Sequence, residues 1–99
     1  MNFEISKRAR RQIELIQAWW LEHRPEARAL FLEELEQAAR QLREMPTLGV
    51  VYTQHRTGPV RRLLLPRTRH HLYYRHQPSR DLLTVLSVWG APRGRGPRL

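Results

Sequence analysis

Residues 60–75, VRRLLLPRTRHHLYYR, decide how this chain is read. Two short runs rich in branched, aromatic and basic residues flank a turn at Pro66-Arg67-Thr68. Such runs, bounded by a proline-bearing turn, read as two neighbouring strands. Strand side chains point alternately to opposite faces. Arg61 and Arg62 must therefore separate, one to each face or to a rim. His70, Leu72 and Tyr74 form one set, and His71, Tyr73 and Arg75 the other. Such a sheet buries its leucine-bearing face and offers arginine, histidine and tyrosine on the other.

The flanking sequence supplies the partners of that sheet. Downstream, Gln77-Pro78-Ser79 is a turn, and Leu82–Trp89 is the most apolar strand, suited to a covered position. Upstream, Val50–Gln54 is a strand that Gly58-Pro59 turns into Val60. The first half is helical. Ala9, Ile13, Ile16 and Trp20 recur at steps of four, three and four, one face of an amphipathic helix with Ser6 as its N-cap. Trp20 continues that stripe into the core, and Trp19 sits at its rim. Pro25 stops this helix and suits the first turn of a second. The second stripe is Ala27, Phe31, Leu35, Ala38, Leu42 and Met45, with Glu26, Glu33, Glu34, Glu36, Arg40 and Arg43 assigned to the solvent side. Asn2–Ile5 precedes both helices as a short strand.

The expected fold is α+β. An N-terminal helical hairpin packs on one face of a mostly antiparallel, four- to five-stranded sheet, in a single domain spanning 1–99. Residues 90–99, GAPRGRGPRL, are expected to form a basic irregular tail, mobile unless bound.

Charge divides the chain. Residues 1–45 carry eight basic and eight acidic side chains, whereas residues 46–99 carry ten arginines and one acid, Asp81. The net charge of +9 thus belongs to the second half. That asymmetry points to a polyanion or an acidic protein partner. The plainer explanation is a basic surface kept for solubility. There is no cysteine, which excludes disulfides, zinc–thiolate sites and a thiol nucleophile and suits a reducing cytoplasm. The N-terminal MNFEISKRARR is charged where a secretory leader needs an apolar run, and no window approaches the roughly 18 apolar residues of a membrane span. The expectation is a cytoplasmic protein without membrane contact. His70 and His71 are adjacent and so face opposite ways, and Asp81 lacks a carboxylate neighbour, so neither metal nor other cofactor is expected.

The ordered set resembles the RelE/ParE family of bacterial type II toxins. It comprises the opening strand, SKRARRQIELIQAWW, the Phe31-Leu35-Ala38-Leu42 helix closed by Pro46 and Gly49, then VRRLLL, HHLYYR and VLSVWGAPRGRGPRL. The resemblance covers essentially the whole chain. It implies a toxin that arrests growth when free and is neutralised by a cognate antitoxin in a toxin–antitoxin hetero-oligomer. Two mechanisms share the fold. RelE-like members cut mRNA in the ribosomal A site, and ParE-like members poison DNA gyrase without cleaving RNA.

Cleavage needs an acid–base pair and a cation for the developing phosphorane charge. The candidates are His71, Arg75 and Tyr73, with Arg61, Arg62, Arg67, Arg69, His70, Arg93 and Arg95 as nucleic-acid or target contacts. The bland alternative is exposed strand residues with good strand propensity. No His or Tyr follows His76, where ribosome-dependent members commonly carry one, which counts against direct cleavage. Gyrase poisoning needs no catalytic set. The rival from another class is a non-toxic basic nucleic-acid- or ribosome-binding module.

Overall fold

The computed structural model describes residues 1–90 and 96–99. The chain runs β1 (Asn2–Ile5), α1 (Lys7–His23), a 3-10 turn (Pro25–Ala27), α2 (Leu30–Glu44), β2 (Val50–His55), β3 (Gly58–Leu65), β4 (His70–Gln77), a second 3-10 turn (Pro78–Arg80) and β5 (Leu82–Gly90). Both helices pack on a five-stranded mixed sheet of order β1-β5-β4-β3-β2. β1 lies parallel to β5, and the other three pairings are antiparallel.

Local chemistry sets the boundaries. Ser6 caps α1 by accepting from the Ala9 N–H at 3.0 Å. The same hydroxyl donates to the Leu86 carbonyl at 3.1 Å. That second bond matters because the β4–β5 register shifts between Tyr73 and Tyr74, placing an extra residue in β5. Such a bulge leaves backbone groups without ladder partners, and α1 supplies them. Gln12 Oε1 accepts from the Val88 N–H at 2.9 Å and from the Ser87 hydroxyl at 3.0 Å.

The helical half departs from its sequence reading in three places. Pro25 does not open α2. It opens a separate turn closed by the Ala27 N–H on the Arg24 carbonyl at 2.9 Å, and α2 begins at Leu30. Met45, expected in the apolar stripe, is 54 % exposed because α2 ends one residue earlier. Glu34, expected in solvent, is buried. It lies three residues after Phe31 and four before Ala38, so it stands on the stripe itself.

The core forms between the helices and one sheet face. Ala9, Phe31, Ala38 and Leu42 meet Leu65, Leu72, Tyr74, Leu83, Val85 and Val88. Each large apolar side chain buried there contributes about 1.5–3 kcal/mol. Trp20, Ile13 and Ile16 pack at its margin, as the α1 stripe requires. Arg43 ties β1 to α2, lying 4.4 Å from the centre of the Phe3 ring and donating to the Met1 carbonyl at 3.0 Å.

The second face, expected to be open, is covered over part of its area. Val60 and Tyr73 project from it, yet each is only 1 % exposed. Tyr52 packs edge-on against Tyr73 with ring centres 4.7 Å apart. The Tyr52 hydroxyl donates to the Pro97 carbonyl at 2.8 Å, which sets residues 96–99, without regular secondary structure, against this face. Of the expected tail, residue 90 ends β5 and residues 91–95 lie outside the described residues.

Candidate functional site

β4 places the His71, Tyr73 and Arg75 side chains on the second face by alternation, opposite Leu72 and Tyr74 in the core. Their surroundings differ. Burial raises the Tyr73 hydroxyl above its ordinary pKa, and the Arg62 guanidinium beside it pulls the other way. Arg75 Nη1 donates to Thr57 Oγ1 at 3.2 Å, which anchors the β2–β3 turn. His71 remains partly exposed, its ring centre 6.0 Å from that of Tyr73. Arg62 shares this face and lies 5.7 Å from the centre of the Tyr52 ring.

The other arginines do not join that cluster. Arg61 turns to the opposite face, opposite Tyr74, and donates to the Gly49 carbonyl at 2.9 Å, bracing the loop after α2. Arg67 and Arg69 are exposed in the β3–β4 turn, and Arg69 adopts a left-handed φ of 64°. Arg93 and Arg95 lie outside the described residues. The candidate arginines that the structure describes are therefore divided among the second face, the loop after α2 and the β3–β4 turn.

That turn borders a different feature, a groove of about 1000 Å³ between the end of α1, the start of α2 and the end of β5. Leu15, Ile16, Trp19 and Trp20 supply apolar walls, and Arg24, Arg67 and Arg69 stand in its lining with one acid, Glu26. Leu15 is 60 % and Trp19 48 % exposed, and together in one groove they form a contiguous apolar patch. Trp19 is held in place by stacking on His23, ring centres 4.6 Å apart. His70 lines the groove from β4 and packs on Phe31 with ring centres 5.4 Å apart. Sequence reading placed Trp19 at a rim but did not connect it with Arg67 and Arg69. Those residues are about 50 positions apart along the chain, and only the closed sheet brings them together.

His70 and His71 are held below their ordinary value of 6.5. For His70 the main cause is burial, opposed by the Thr68 backbone and the Glu34 charge. For His71 burial comes first, followed by repulsion from Arg62 and Arg69. Between the lower folded value and 6.5 the unfolded chain binds more protons than the folded one. Stability is therefore full above about pH 6.5 and falls as pH drops through that window. Thermal melts from about pH 7.5 to about pH 5.5 are expected to show a falling Tm, with a shallower slope in His70→Gln/His71→Gln. An unchanged slope in the double variant would assign the dependence to other groups.

Among the described residues no group of three or more His, Asp or Glu side chains is placed to hold a metal ion, and no helix is long and apolar enough to cross a membrane.

A leading strand, two helices on one face and a meander of four further strands, with β1 parallel to β5, define the small α+β toxin class of the RelE/ParE type. The family profile described as the ParE toxin of type II toxin-antitoxin system, parDE, matches residues 3–93, and the chain belongs to that family. Among solved structures it is similar to the chromosomal ParDE TA system from P. aeruginosa, with a TM-score of 0.70 at 15 % identity. That similarity covers 91 % of this chain and 95 % of the other, and at such identity it speaks for the fold. No curated protein matches the chain.

Proposed function

We propose that the free chain arrests growth by acting on DNA gyrase, and that a cognate antitoxin neutralises it by filling the tryptophan-lined groove. Membership of the ParE family supports the gyrase target, since the resemblance implies gyrase poisoning for ParE-like members. The observation that carries this reading over RNA cleavage is the state of the candidate catalytic set. Tyr73 is sealed and Arg75 is a permanent cation with one nitrogen on Thr57, which leaves His71 without a second acid–base group beside it. Expression of the chain alone, with DNA and protein synthesis followed by pulse labelling, tests it. DNA synthesis is expected to stop first. Earlier loss of protein synthesis points to the ribosome, and normal growth removes the toxin reading.

The groove supports the second half of the proposal. Apolar walls beside three arginines fit the apolar face of an acidic, amphipathic segment. Arg67→Glu/Arg69→Glu is expected to weaken antitoxin binding at least about tenfold at low salt, with a smaller deficit at high salt. By contrast, Arg62→Glu/Arg75→Glu on the second face should have little effect. Titration calorimetry at two ionic strengths distinguishes the surfaces, and the opposite ranking would move the antitoxin to the second face.

A further inference from the structure

The positive charge of this chain has no internal answer. Among the described residues the one ion pair joins the Met1 amine to Asp81, at 3.4 Å. No described arginine is paired with a carboxylate, although the chain holds nine acids. Cations gathered without acidic partners repel one another and lower the stability of the fold. α1 gathers Lys7, Arg8, Arg10 and Arg11 at its start, with no acid in its first turn. There they also oppose the positive end of the helix dipole. Lys7, Arg8 and Arg11 are exposed. They share one side of the helix, because neighbours on a helix surface stand three or four residues apart.

Residues 96–99 connect that side of α1 to the second face of the sheet. Arg8 Nη1 donates to the Arg98 carbonyl at 3.0 Å, and the preceding carbonyl, that of Pro97, accepts from Tyr52. Arg62 lies over the Tyr52 ring, and both Arg62 and Arg69 stand close enough to His71 to disfavour its protonation. Contact by contact, a basic band runs from the start of α1 through Arg98 to Arg62. Arg8 commits only Nη1 to this contact, and the Arg98 side chain is exposed. Glu4 precedes α1 and Glu14 lies within it, yet neither forms an ion pair.

The tyrosines of the band are already engaged. Tyr73 is buried, and Tyr52 is held by Arg62 and Pro97. Proteins that hold single strands stack bases on aromatic rings along a basic track. Contact with the backbone of a duplex needs only the track. We infer that Lys7, Arg8, Arg11, Arg62 and Arg98 hold the phosphates of duplex DNA without reading its sequence. The role of this contact rests on the gyrase reading above, in which a toxin acting on an enzyme loaded with DNA grips the DNA as well. The binding itself does not rest on it and is measured without the enzyme.

The probe is a fluorescent DNA duplex of about 20 base pairs, titrated by anisotropy with the full chain at about 50 mM and about 200 mM salt. Single-stranded DNA and RNA of the same length are titrated beside it. Saturable binding is expected, at least about tenfold tighter to duplex than to either single strand, and alike for two unrelated sequences. Arg62→Gln/Arg98→Gln should weaken it at least about tenfold at the lower salt and reduce the slope of log K against log salt by about 0.9 per lost phosphate contact. Lys7→Gln/Arg11→Gln, on exposed side chains outside the core, should do the same. Arg28→Gln/Arg40→Gln removes equal charge from exposed positions elsewhere and should cost less than about threefold. No saturable binding at the lower salt overturns the inference. So does equal or tighter binding of a single strand, or an equal loss in Arg28→Gln/Arg40→Gln. The same preparations are assayed for gyrase supercoiling. A chain that stops supercoiling yet binds no DNA refutes the inference and leaves the gyrase reading standing. One that binds DNA and spares supercoiling does the reverse.

Discussion

Glu34→Ala is expected to destabilise the folded chain by about 3 kcal/mol, the largest single effect outside the apolar core. The Glu34 carboxylate accepts from the Arg67 N–H at 2.6 Å, from the Thr68 N–H at 3.0 Å and from the Thr68 hydroxyl at 2.7 Å. Glu34 is 8 % and Thr68 7 % exposed, so water cannot freely replace what is lost. Hydrogen bonds to a charged group contribute about 1.5–3 kcal/mol each, and they do not add fully within one cluster. A stable domain has only about 5–15 kcal/mol in total, so the loss should lower Tm by about 15 °C. Glu34→Gln should recover part of the loss, because its amide oxygen can still accept from Thr68 while its NH2 meets the Arg67 N–H donor to donor. Thr68→Ala removes one bond and should cost about 1 kcal/mol. The turn held by Glu34 also carries Arg67 and Arg69, so antitoxin affinity should fall with stability. A Tm change under about 3 °C in Glu34→Ala would mean that the turn has another anchor.

Tyr74 and Gly49 make the second large pair. The Tyr74 hydroxyl donates to the Pro46 carbonyl at 2.7 Å and accepts from the Gly49 N–H at 2.9 Å, which staples the α2–β2 loop to β4. Burial raises its pKa, with the Gly49 bond and Arg61 acting the other way. Tyr74→Phe strands a buried N–H and a carbonyl and should cost about 2 kcal/mol. Gly49→Ala should cost about 2–3 kcal/mol, since its Cβ would lie 2.7 Å from the Arg62 carbonyl oxygen and 2.9 Å from Tyr74. Part of the second cost is the clash with the Tyr74 hydroxyl. The double variant should therefore lose about 1 kcal/mol less than the sum, which urea denaturation resolves. Simple additivity would show that the two positions do not share one contact.

The strands, the helix stripes and their packing on a sheet were legible because period-2 and period-3.6 patterns follow from backbone geometry alone. Leu72 and Tyr74 as core residues follow from the same patterns, and Ser6 as a cap from its side-chain oxygen before a helical run. Glu34 reads as solvent-facing by residue type, but its spacing puts it on the buried stripe. At 31, 34, 38 and 42 the burial follows an uninterrupted helical face. The bulge in β5 and its repair by Gln12 depend on tertiary approach and leave no local signal. The same holds for the partial cover over the second face. GAPRGRGPRL reads as an irregular tail, and nothing in it announces that Gly96 must pass beside Tyr52. Alternation did place His71, Tyr73 and Arg75 together. It did not reveal that one would be sealed and another engaged, since burial and partners come from distant segments.

The most direct test of the proposed target uses purified gyrase, ATP and relaxed plasmid, with the chain added in increasing amounts. The account predicts loss of supercoiling with accumulation of cleaved DNA, and its suppression by the antitoxin. Undisturbed supercoiling, together with mRNA cut in a translating extract, would contradict it.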